Sequence, residues 1–73
     1  MNYAIKIVSD AGDILHQFPI QDSAIRNNEI NMPEVFAAVN LDPFELMNQG
    51  NVIQFGEMIS GNFNLMNEFK KWW

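Results

Sequence analysis

No cysteine occurs anywhere in this chain of 73 residues. Neither a disulfide nor a thiolate-bound metal can staple it, so its stability must come from packing alone, which at this size amounts to only a few kcal/mol. The same length admits a single domain, because a hydrophobic core needs roughly 50 residues to hold a fold by itself. A two-domain enzyme is excluded. With 48% hydrophobic and 18% charged residues, the composition is that of a chain that folds and not of a disordered tail.

The clearest local signal is at the start. Tyr3, Ile5 and Ile7 alternate with Ala4, Lys6 and Val8, the pattern of a strand with two unlike faces. The run from Ser9 to Asp13 contains Gly12 and reads as a turn. Ile14, His16, Phe18 and Ile20 then alternate with Leu15, Gln17 and Pro19, completing an antiparallel hairpin over residues 3–20. Pro19 has no N–H to give a sheet ladder, so the second strand is expected at an edge.

Residues 21–31 read as a polar connector, with Asp22 and Ser23 able to start one helical turn and Asn27 and Asn28 able to stop it. Two stretches then carry the punctuation of helix starts. Asn31-Met32-Pro33-Glu34 and Asp42-Pro43-Phe44-Glu45 each offer a capping side chain, a proline in the first turn and a glutamate three residues after the cap. The first predicts a helix over about 32–39, and the second a helix that Gly50 ends. From Asn51 the pattern divides. Val52, Phe55 and Ile59 keep helical spacing, while 52–55 would also suit a short buried strand; helix is the preferred reading. Phe63, Met66, Phe69 and Trp73, after a capping Asn62, predict an amphipathic C-terminal helix. The expected fold is therefore α+β: an N-terminal antiparallel β-hairpin packed against two to four short helices in one small domain, with 32–73 as the helical part.

Charge narrows the partners. Nine carboxylates oppose four basic residues for a net charge of −5, which disfavours a phosphate backbone as ligand. No apolar run is long enough to span a bilayer, and no basic-then-apolar leader opens the chain, so a cytoplasmic location is expected.

The inventory for catalysis is thin: one histidine, no threonine and three serines. His16 lies mid-strand beside Ile14 and Phe18 and reads as a half-buried structural imidazole, not a general base. Asp10 and Asp13 flank Gly12, yet the twelfth position of a calcium loop would be Gln21 or Ala24, so a turn is the better reading. Glu34 and Glu45 are accounted for by the caps. Gly56 and Gly61 lack the rest of a phosphate loop and suggest a bend or close packing among Phe55, Met58 and Phe63. No catalytic residue, metal ligand or cofactor is expected.

The segment Phe69-Lys70-Lys71-Trp72-Trp73 is less easily absorbed. Two adjacent indoles cannot both face one core, and tryptophan is a favoured anchor at protein interfaces. Closure of the core by Trp73 is the structural alternative, and a membrane-surface anchor is opposed by the net negative charge. The sequence thus points to a small acidic, non-catalytic protein-binding module, an inhibitor or adaptor. Short acidic inhibitors that phages use in host takeover or against host defences share its size and charge. Its partner would be another protein with a basic or apolar patch, contacted by Trp72, Trp73 and Phe69, with Glu57 and Glu68 as rim charges. The competing expectation is a structural subunit that self-assembles by pairing hairpin edges or by burying its C-terminal helix against a second copy.

Overall fold

The computed structural model describes residues 2–27 and 29–73. Its centre is a four-stranded antiparallel sheet in the order β2-β1-β5-β6, formed by β1 (Tyr3–Val8), β2 (Ile14–Ile20), β5 (Val52–Ile59) and β6 (Asn62–Phe69). A 3-10 turn (Asp22–Ala24), a two-residue ladder of β3 (Ile25–Arg26) with β4 (Glu29–Ile30), and two short helices, α1 (Met32–Ala38) and α2 (Pro43–Asn48), lie between β2 and β5.

The N-terminal hairpin follows the alternation in the sequence. Gly12 takes φ +89° in the turn, where its N–H donates to the Ser9 carbonyl and Ser9 Oγ accepts from the Asp13 N–H at 3.1 Å. Both helices begin at their capping residues. Asn31 accepts from the Glu34 N–H at 3.2 Å, and Asp42 accepts from the Phe44 and Glu45 N–H groups at 3.0 and 3.4 Å. Gly50, at φ +92°, ends α2 as expected of a glycine beyond a helix C-terminus.

The expected arrangement of a hairpin against two to four helices is wrong in its second half. Residues 52–69 form a second hairpin, not helices, and the sheet dominates the fold. The turn explains why. Ser60 and Gly61 both take positive φ, +52° and +81°, the geometry of a two-residue turn whose twist matches that of paired strands. Asn62, read as a helix cap, is the first residue of β6 instead.

The apparent helical period has a cause in the same strand. Phe55 pairs with Asn67 and Gly56 with Leu65, so Met66 is an extra residue in a β-bulge. That insertion breaks the two-residue alternation, and Phe63, Met66 and Phe69 come to be spaced by three. Phe63 faces one side of the sheet and Phe69 the other, although both numbers are odd. In β5, Ile53 and Phe55 pack on the core while Gln54 and Gly56 face the other way, which is the alternation of a strand and not of a helix.

Tyr3, Ile5, Ile7, Phe18, Ile20, Ile53, Phe55 and Phe69 line the side of the sheet that the helices cover, with Val35, Phe36 and Met47 packed on it. Ile5, Ile7 and Ile53 are wholly buried, each contributing about 1.5–3 kcal/mol relative to exposure. Phe18 meets Phe36 edge-on at 5.9 Å, joining β2 to α1.

The residues read as a connector are more ordered than expected. The 3-10 turn begins at Asp22, and Asn27, at φ +54°, lies in the link between β3 and β4; Asn28, read with it as a breaker, lies outside the described residues.

Candidate functional site

The Asp42 cap fixes more than a helix end. By accepting from the Phe44 N–H it holds the first turn of α2, and the Phe44 ring stands out from that turn, 55% exposed. The chain leaves β6 at Phe69 and returns to this ring without regular structure over residues 70–73. Trp72 lies 6.0 Å from Phe44, Trp73 lies 5.6 Å from it, and the two indoles meet edge-on at 5.0 Å.

Three aromatic rings therefore form one cluster that the protein does not bury. Trp72 is 73% and Trp73 51% exposed, and neither belongs to the core. Core closure by Trp73 does not occur, because Phe69 and Phe55 already pack against the core from the sheet. The two indoles converge on Phe44 from a tail without regular structure, whereas adjacent residues of the expected helix would point about 100° apart.

On one side of Phe44 lies a groove of about 410 Å³ with a wholly apolar lining. Met32 and Pro33 from α1 form one wall, Pro43, Phe44 and Met47 from α2 another, and Phe69 and Trp72 complete it. A second depression, lined by Asp42, Phe44, Glu45, Asn48 and Trp73, also borders Phe44. Phe44 is thus a wall common to an apolar groove and to a depression carrying two carboxylates. Lys71 approaches the same cluster, with Nζ 5.7 Å from the Trp73 ring.

Of the residues singled out in the sequence, the structure brings Phe69, Trp72 and Trp73 to one place. Glu57 and Glu68 are elsewhere. Glu57 pairs with Tyr3 and Asn64, four residues along β5 from Ile53, the partner of Phe69; Glu68 pairs with Gln54, on the face opposite Phe69. Phe44, Met32 and Met47 were missed. Phe44 reads in the sequence only as part of a capping segment, and Met32 and Met47 as ordinary helix residues.

The residues weighed for chemistry are dispersed. His16 is exposed on β2 opposite Ile7, not half-buried, and the Ser9 hydroxyl is engaged in the hairpin turn. Among the described residues no three of His, Asp and Glu gather as a metal site would require, and no helix is long and apolar enough to cross a membrane. Comparison with protein-family models, with curated proteins and with solved structures gave no match.

Proposed function

We propose that this chain is a small acidic, non-catalytic protein-binding module acting in the cytosol, an inhibitor or adaptor that occupies a surface of a larger partner through Phe44, Trp72 and Trp73. The supporting observation is the mutual packing of three large rings that stay half exposed or more. Exposed aromatic area is unfavourable in water, and rings braced against one another lose little further side-chain freedom on binding, which is the character of interface anchors. The net charge of −5 would steer the module to a basic surface, as with the short acidic inhibitors of phages.

Self-assembly through the sheet edges is the second reading. Ile14 and Leu15 on β2 and Leu65 and Met66 on β6 are exposed there. Against it, each edge carries a guard. The Met58 N–H donates to the Asn2 carbonyl, which sets the alternation so that Pro19, opposite Ala4, turns its backbone nitrogen to the open edge of β2. On β6 the outward Glu68 N–H is already taken by Asn67 Oδ1 at 2.8 Å.

The test is co-purification of the N-terminally tagged chain from the cells that make it, with the Trp72→Ala variant in parallel and a salt series on both. A stoichiometric partner held by the unaltered chain and lost with Trp72→Ala is the expected result. A partner retained equally by both chains, or recovery of the chain alone as a defined oligomer, would overturn the reading.

A further inference from the structure

We infer that the groove beside Phe44 receives a basic amphipathic helix of the partner, with an apolar side chain seated among Met47, Phe69 and Trp72 and a lysine or arginine one turn away at Glu45 and Asp42. This rests on the docking reading above and names the chemistry of the occupant.

Three observations carry it. The first is the lining. The groove offers no polar group to an incoming backbone, so its occupant must satisfy its own amides, as a helix does and an added strand cannot.

The second is the pair of depressions that share Phe44. Residues three or four apart on a helix are neighbours at about 5–6 Å, and the Trp72 ring, which lines the groove, and the Trp73 ring, which lines the depression, are 5.0 Å apart between centroids. One helical face can thus set an apolar side chain on one side of Phe44 and a cation on the other. The carboxylates of Asp42 and Glu45 select the sign of that charge, in keeping with the acidic balance of the whole chain.

The third is the methionines. Met32 and Met47 give the groove unbranched, polarisable walls that adapt to an irregular apolar surface, a property suited to helix-in-groove binding.

The experiment uses the full chain and three fluorescein-labelled peptides of about 16 residues, a length at which a helix can form. One has a leucine stripe flanked by lysines on an alanine background. The second replaces each lysine by glutamate, and the third adds a central proline to the first. Fluorescence anisotropy should register binding of the basic helix alone, weakening as salt is raised. Trp72→Ala, with its fold checked by circular dichroism, should weaken it roughly thirtyfold, and Glu45→Gln about threefold at low salt.

Equal binding of the acidic or proline-broken peptide would overturn the inference, as would indifference to Trp72→Ala. Should none of the peptides bind while co-purification still depends on Trp72, the helix assignment fails and the docking reading stands. Should co-purification also ignore Trp72, both fail.

Discussion

The ring of Phe63 lies across Gly56 on the face of the sheet away from the helices: a Cβ at position 56 would meet the ring and the Asn64 carbonyl oxygen, each at 2.5 Å. Ala4, opposite Gly56 on β1, is buried, and Lys6 extends Nζ to 4.3 Å from the Phe63 centroid. A small residue on each of two strands thus makes room for one aromatic ring, which covers backbone on a face without helices. The cation above the ring adds a favourable contact with its π-face.

Gly56→Ala should therefore destabilise the fold by about 1–3 kcal/mol, the range for forcing extra volume into a filled site. Each kcal/mol corresponds to roughly 4–8 °C in Tm for a domain of this size. Thermal melting by circular dichroism reads the effect. Shortening the ring, as in Phe63→Leu, should recover only part of the loss in the double variant, because the Asn64 carbonyl remains in place.

The helix caps supply a second comparison. Asp42 holds two N–H groups and Asn31 one. Asp42→Ala should cost about 1 kcal/mol in chemical denaturation, and Asp42→Asn much less, since the amide oxygen still caps. Partner binding should suffer with Asp42→Ala beyond what stability explains, because the same bond orients the turn that carries Phe44.

At the second hairpin turn, Ser60 occupies a left-handed conformation that asparagine adopts more readily. Ser60→Asn should raise the melting temperature slightly, by the equivalent of a few tenths of a kcal/mol. Gly61→Ala, at φ +81° with open space around it, should lower stability by about 1–2 kcal/mol through backbone strain alone.

The edge guards predict assembly behaviour. Pro19→Thr restores an outward N–H on β2, and Asn67→Val frees that of Glu68 on β6. Analytical ultracentrifugation should find each variant shifted toward larger species relative to the unaltered chain as concentration rises. No shift in either would mean that something other than these two side chains keeps the edges apart.

The first hairpin and both helix starts were legible because each has a local cause. Alternation specifies Tyr3 to Val8, and Asn31 and Asp42 with their prolines specify the caps. Pro19 also announced an edge, as the strand order bears out. The second hairpin was hidden for local reasons too. Gly56 removes a side chain from the alternating pattern, Asn62, Asn64 and Asn67 have little intrinsic strand preference, and the bulge at Met66 substitutes a three-residue spacing. What holds β5 as a strand is nonlocal, namely pairing with β1 and the burial of Ile53, and β6 is held in turn by its ladder with β5. At the site, Trp72 and Trp73 stood out by residue type alone. Phe44 did not, because its importance comes from where the returning tail lands, and no spacing along the chain records that.

The bulge leaves β6 one residue longer than its ladder with β5 requires. Removal of Met66 would let Leu65 and Asn67 follow each other in regular alternation, with Glu68 and Phe69 keeping their present sides. An added residue has no such slack to draw on; it would turn Phe69 out of the core and carry the two indoles away from Phe44. This strand can lose length more safely than it can gain it, because Phe69 and the aromatic cluster beyond it keep their register with the adjoining helix without the spare residue.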